Sequence, residues 1–353
     1  MVSFYPGPSR VHNEIPKWVK EAHVSGILSM NHRSDEFMTL AGNVVRLMRQ
    51  KLAIPKEYSI FFATSATECW EIIAQSLIKE KSVHLFNGAF GEKWIDYTSR
   101  IRPQAQSVRF DPEIVPDTLQ LAFDPVELVA VTQNETSNGT QVPASVISRI
   151  QKLNPQALIA VDATSSMAGI QLGWKTADIW FASVQKCFGL PAGLSIIICS
   201  PRAMQREREL SENLHYNSLG FIASMMEKHQ TTCTPNVLGI YLLMRVLQKM
   251  KPVSEIHGET LRRYEAWENF VTKCQSFEFL IANRRVRSHT VLTLRTSWPL
   301  ASLKLAARKK GFLLGEGYGD LKTSTFRIAN FPALRNSEIQ SLMKFLKSYQ
   351  EER

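Results

Sequence analysis

Asp162 and Lys186 each stand at the end of an apolar run, and together they could do carbonyl–amine chemistry. Residues 157–161 read Ala-Leu-Ile-Ala-Val and lead into Asp162, then Thr164-Ser165-Ser166. That pattern suits a buried parallel strand with functional groups at its carboxyl end. A carboxylate placed there loses water and needs a cationic partner. Lys186 follows a second apolar run, 179–184, and a third follows at 194–199. Burial disfavours an ammonium, which leaves the amine nucleophilic toward an aldehyde. Such an amine, and a carboxylate that keeps a pyridinium nitrogen protonated, are the two groups that pyridoxal phosphate (PLP) chemistry requires. An exposed hairpin lysine and a helix-capping aspartate fit the same residues, so both readings stand at this level.

A second feature could hold an anion. Residues 59–63 form a short strand-like run, and Thr64-Ser65-Ala66-Thr67-Glu68 follows. Residues 69–78 then read as a helix with Trp70, Ile73, Ala74 and Leu77 on one face. A strand–turn–helix junction offers free N–H groups and the positive end of a helix dipole to a phosphate. Thr67 as a plain helix cap accounts for the same residues.

Several segments, in order along nearly the whole chain, resemble the class V, fold-type I aminotransferases, and within them the phosphoserine branch. Phe4-Tyr5-Pro6-Gly7-Pro8 is similar to that family's F-x-P-G-P, and Asn31-His32-Arg33-Ser34-Asp35-Glu36-Phe37 to its S-H-R-x-x-E-F. Asn134-Glu135-Thr136 with Gly139 is similar to N-E-T-x-x-G. Gln185-Lys186, Gly189 and Pro191-Ala192-Gly193 are similar to Q-K-N-x-G-P-A-G. The resemblance implies PLP as cofactor and a role for each matched position. Lys186 is then the Schiff-base lysine and proton shuttle, and Asp162 the partner of the pyridinium. Phe90 stacks on the cofactor ring, where the phosphoserine enzymes usually carry Trp, and Thr136 bonds its phenolic oxygen. Ala66, Thr67 and Gln185 help hold its phosphate, and Thr234 reaches that phosphate from the other subunit of a homodimer. Arg327 forks the substrate α-carboxylate, and His32 and Arg33 recognise a substrate phosphate.

The chain departs from the branch on the substrate side. Thr67 stands where the phosphoserine enzymes have an arginine, and Gly317-Tyr318-Gly319-Asp320-Leu321-Lys322 replaces a stretch carrying a His-Arg pair. Only Lys322 is cationic there. Phosphate recognition usually rests on bidentate arginine contacts.

Composition agrees with the expectation of a soluble enzyme. The 353 residues are 44% hydrophobic and 21% charged, enough for a sizeable core. The net charge of +10 can steer anionic substrates. The basic residues are dispersed, and no helix-turn-helix, zinc-finger or RNP pattern accompanies them, so no nucleic-acid partner is expected. The five cysteines are scattered without a C-x-x-C pair, which argues against a disulfide framework and a metal site. Cys187 reads as a small buried residue in place of the family's Asn. Residues 1–10 show no secretory h-region and no run is long enough to span a membrane, so the expected location is cytoplasmic.

The elements that must position these groups alternate from about residue 57 to 200. Strands are expected at 59–63, 82–86, 128–133, 157–161, 179–184 and 194–199, with helices such as 67–79 and 143–152 between them. Long helices are expected at 235–250 and 254–277. Strands near 289–295 and 323–329 and helices near 300–310 and 336–350 complete the chain. The expected fold is α/β, a fold-type I PLP-transferase: an N-terminal segment (1–20) over a large, mainly parallel-sheet domain (21–253), then a smaller α+β C-terminal domain (254–353). The function implied is transfer of the amino group of L-glutamate to 3-phosphohydroxypyruvate, giving 2-oxoglutarate and O-phospho-L-serine. A class V alanine or serine aminotransferase acting with glyoxylate or pyruvate is the nearer alternative. A non-enzymatic basic binding protein on the same fold is the more distant one.

Overall fold

The computed structural model describes residues 1–123 and 125–351. Seven strands form the large sheet. In spatial order they are Ser59–Ala63, Ser195–Cys199, Ile179–Ser183, Leu158–Asp162, Leu128–Thr132, Ser82–Phe86 and Gln106–Arg109. Only Ser195–Cys199 runs against its neighbours; the rest are mutually parallel. The central strands are apolar and buried along their whole length, as a sheet covered on both faces requires. Register aligns Thr132 with Asp162, and Asp162 with Phe181, so the carboxyl ends of neighbouring parallel strands finish at one edge. Ligands of open α/β sheets bind at that edge.

The second sheet has the order Val2–Phe4, Phe312–Glu316, Thr325–Ala329, Val291–Thr296 and Phe277–Phe279. Its strands are antiparallel except for Val2–Phe4, which pairs in parallel with Phe312–Glu316. Residues 1–20 thus join the second sheet through Val2–Phe4 and reach the loop after Ile179–Ser183 through Ser9 and His12. The helix Ile15–Val24 then packs on Val237–Lys249.

Four strands of these two sheets lie outside the sequence expectation. Gln106–Arg109 is an edge strand with one apolar residue, so it carries no hydrophobic run to read. Val2–Phe4 and Phe312–Glu316 are strands because they pair with each other across the length of the chain. The expected helix 254–277 ends at Lys273. Phe277 instead opens a strand and packs edge-on against Trp298 and Phe326, at 5.0 and 5.9 Å between ring centroids. Among the described residues, no helix is long and apolar enough to cross a membrane.

Candidate active site

The loop that carries Lys186 joins two antiparallel strands, Ile179–Ser183 and Ser195–Cys199, so it is a hairpin loop by topology. It is nevertheless buried, and only 8% of Lys186 is exposed. The N-terminal segment covers it. Ser9 donates its backbone N–H to the Gln185 carbonyl (2.9 Å) and lies within bonding distance of the Lys186 carbonyl (Oγ, 3.1 Å). The His12 amide donates to the Gly189 carbonyl (3.0 Å), and its Nε2 bonds the Phe188 carbonyl (3.1 Å). Loop carbonyls that would otherwise need water are satisfied by a strap 176 residues away in sequence. Gly7 lies directly over the lysine stem: a Cβ there would sit 3.0 Å from Lys186 Cε.

Lys186 Nζ donates to Thr136 Oγ1 (2.7 Å) and Ser165 Oγ (3.0 Å), and those two hydroxyls also bond each other. Burial pushes the ammonium down to about 8, with Asp162 and Glu135 opposing the shift. Asp162 ends its strand with 6% exposure, and its Oδ1 accepts from the Thr164 amide at 2.9 Å. Burial pushes this carboxyl upward against the pull of Thr164 and Lys186. The Phe90 ring lies 4.9 Å from Lys186 Nζ. Arg327, on the strand Thr325–Ala329, donates from Nε to the Glu316 carbonyl (2.6 Å) and from Nη1 to the Thr136 carbonyl (2.7 Å). It thereby ties the C-terminal sheet to the Asn134–Thr136 segment.

Ala66, Thr67, Phe90, Thr136, Asp162, Gln185, Lys186 and Arg327 line one cavity of about 320 Å³. Ala66 and Thr67 open the helix Ala66–Leu77, whose cap is Ser65 and not Thr67: Ser65 Oγ accepts from the Glu68 amide. The Ala66 amide donates to Ser183 Oγ, binding the helix start to the strand before Lys186.

His32, Arg33 and Thr234 are not among the residues lining this cavity. Arg33 and Thr234 are exposed, and Arg33 Nη1 bonds Gln230 Oε1 at 2.7 Å, four residues before Thr234. Ser34 beside them caps the helix Asp35–Leu52 by accepting from the Phe37 amide. Lys322 is exposed and also outside the cavity lining. Cys187 is buried, with its Sγ donating to the Ser165 carbonyl at 3.3 Å, and burial drives its thiol pKa far upward.

Glu135 is a residue whose part the sequence motif left unread. Only 1% of it is exposed. Its Oε2 accepts from the Phe90 and Gly91 amides (3.1 and 3.2 Å), and its Oε1 from the Ser137 amide and hydroxyl (2.9 and 2.7 Å). Gly88, the cap of the helix Ala89–Ile101, has no side chain to do this, and a Cβ there would stand 2.5 Å from Glu135 Cγ. Glu135 is thus a cap supplied from another strand, and it fixes the backbone at Phe90. Glu135→Ala strands four donors and is expected to cost about 3 kcal/mol or more of stability. Urea unfolding checks this, and a change within about 0.5 kcal/mol would refute the capping role.

The cavity suits the cofactor that the sequence implies. Its volume is that of a small-molecule site. It presents a carboxylate, a lysine of lowered pKa, an aromatic face and a helix start. Among the other lining side chains, Thr132 Oγ1 and Asn134 Oδ1 are buried polar atoms without a hydrogen-bond partner among the described residues. A polar ligand would satisfy such atoms.

Comparison with known proteins agrees. Residues 6–297 match the family described as aminotransferase class-V. The chain is 27% identical over 352 residues to the phosphoserine aminotransferase of Rhodococcus opacus (strain B4), covering 96% of this chain and 92% of the relative. It is similar to the crystal structure of a phosphoserine aminotransferase from Cytophaga hutchinsonii, with a TM-score of 0.95, 28% identity and 98% of each chain covered. An aspartate aminotransferase from Thermus thermophilus shares the fold, with a TM-score of 0.88 at 18% identity over 100% of this chain and 99% of that one. The family match spans well over half of the sequence, so the chain belongs to the class V aminotransferases and is a PLP-dependent transaminase.

Proposed function

We propose that this chain moves the amino group of L-glutamate to 3-phosphohydroxypyruvate, giving 2-oxoglutarate and O-phospho-L-serine. The observation that carries the reading is Lys186: a buried amine of lowered pKa, held by two hydroxyls inside a cavity that also presents Asp162 and Arg327. The likeness to phosphoserine aminotransferases over almost the full length supports the substrate pair.

When bound, PLP supplies an aldehyde for an amine to attack and a ring that withdraws electrons from the substrate Cα. Lys186 Nζ is the base that takes up the Cα proton and later returns it; a pKa of about 8 leaves part of the amine neutral near pH 7. Thr136 and Ser165 fix where that nitrogen points. Asp162 would pair with the ring nitrogen of the cofactor, and Phe90 would cover its ring. Arg327 would offer its remaining N–H donors to the substrate α-carboxylate, since only one on Nε and one on Nη1 are used by carbonyls. Ala66, Thr67 and Gln185 would hold the cofactor phosphate at the start of the helix Ala66–Leu77.

The working unit in this reading is a homodimer. His32, Arg33 and Thr234 lie outside their own cavity yet near one another, joined through Arg33 and Gln230. Tyr216 is largely exposed, and its hydroxyl bonds Glu68, beside the cavity's phosphate end. A second copy set against this face would receive Thr234, His32 and Arg33 at its own site.

A substrate without phosphate is the second reading. Thr67 in the phosphate turn and Lys322 outside the cavity favour it. Titrating the cofactor-loaded protein with L-phosphoserine, L-glutamate and L-alanine separates the two by the loss of visible absorbance. Response to low phosphoserine and glutamate is expected. Response to alanine with indifference to phosphoserine would keep the transaminase and discard the phosphoserine role.

A further inference from the structure

Lys93 and Tyr318 belong to none of the matched motifs, yet both line the cavity. The helix Ala89–Ile101 places Phe90 and Lys93 three residues apart, on one face. Lys93 Nζ donates to the Tyr318 hydroxyl at 2.7 Å and lies 5.4 Å from the Tyr318 ring centroid and 5.9 Å from that of Phe90. The Phe90 and Tyr318 rings are 5.2 Å apart. Arg327 Cζ lies 5.5 Å from the Tyr318 centroid. One tyrosine ring therefore touches two cations, one rooted in each sheet system.

The charge balance of the cavity is uneven. Lys93, Lys186 and Arg327 line it, against the single lining carboxylate Asp162. Among the described residues, neither Lys93 nor Arg327 has a carboxylate within ion-pair distance; their partners are a phenol and two carbonyls. With Arg327 given to the α-carboxylate and Lys186 to proton transfer, Lys93 is a cation left over. The bond to Tyr318 raises its pKa, so it stays charged at neutral pH.

The geometry points to Lys93, held in place by Tyr318, as the group that receives the distal anion of a doubly anionic amino-acid substrate, a phosphate monoester or a second carboxylate. Lys93 would do this where the sequence lacks the branch's arginine at Thr67 and its His-Arg pair before Arg327. The inference rests on the reading that Arg327 takes the α-carboxylate. Tyr318 is the positioning residue.

The test compares Lys93→Gln, Lys93→Arg and Tyr318→Phe in the cofactor-loaded enzyme. The first readout is kcat/KM for O-phospho-L-serine and for L-glutamate, each relative to L-alanine. The second is calorimetric affinity for 3-phosphoglycerate, which has the two anions and no amino group. Lys93→Gln is expected to lower the dianion-to-alanine ratio about 10- to 100-fold, through KM rather than kcat. Lys93→Arg should restore most of it, and Tyr318→Phe should lose less than Lys93→Gln. A larger loss with phosphoserine assigns a phosphate subsite, and a larger loss with glutamate a carboxylate one. Equal losses for dianions and alanine would overturn the proposal, as would a loss confined to phosphoserine with phosphoglycerate affinity unchanged. A wild-type enzyme that ignores phosphoserine, but whose phosphoglycerate affinity falls in Lys93→Gln, would sink the substrate assignment and leave the subsite standing.

Discussion

Lys186→Ala is expected to reduce transamination by at least about 10⁴-fold, the upper end of what a positioned acid–base group contributes, because the variant also loses covalent attachment. The effect is large because no neighbour can stand in. Thr136 and Ser165, the groups in contact with the amine, are hydroxyls. Cys187 faces the Ser165 carbonyl with its thiolate form disfavoured by burial. Lys93 is tied to Tyr318. The fold should tolerate the change, since removing a buried ammonium relieves a desolvation cost. Borohydride reduction followed by peptide mass spectrometry gives a check independent of turnover. The native protein should carry the pyridoxyl mass on the peptide containing Lys186, and the variant should carry none. A variant that still turns over normally would remove Lys186 from the mechanism.

What the sequence made legible is what lies within one element and its turn. Asp162 and Lys186 could be placed because each ends or follows an apolar run, and six of the large sheet's seven strands fell close to their expected limits. The ends of those runs coincide at the carboxyl edge, so a sheet of parallel strands delivers them to one cavity without further instruction. What stayed illegible was long-range. No local pattern tells that Ser9 and His12 close the Lys186 loop, or that Glu135 caps a helix that starts 46 residues earlier. A buried carboxylate in a motif is a signal for such a cap, because it must find donors somewhere. Lys93 and Tyr318 were passed over for a similar reason. Each looks like an ordinary surface residue until the C-terminal sheet brings Tyr318 over Phe90. His32, Arg33 and Thr234 show the opposite case: motif residues that the fold does not bring to the cavity.

Asp162→Asn tests the electrostatic half of the site. The amide keeps the shape of the carboxylate but cannot compensate a charged ring nitrogen, so kcat is expected to fall about 10²- to 10³-fold, as for loss of a preorganised electrostatic group. The sign of the effect on Lys186 is fixed by charge. Asp162 is the leading influence that opposes burial and raises the pKa of that amine, so its neutralisation moves Lys186 below about 8. In the cofactor-free variant, labelling of Lys186 by an amine-reactive reagent should therefore set in at lower pH than in the native chain, because the neutral amine forms earlier. Unfolding cannot explain the loss of rate. Without cofactor, Asp162 is a buried carboxylate whose pKa is driven up by desolvation, and an amide at that place avoids that cost. The cofactor-free variant should be at least as stable to urea as the native chain, while its affinity for PLP falls. Slow turnover together with native stability and an earlier Lys186 titration is the expected combination. A variant with native kcat and an unshifted Lys186 would show that Asp162 partners neither the ring nor the lysine.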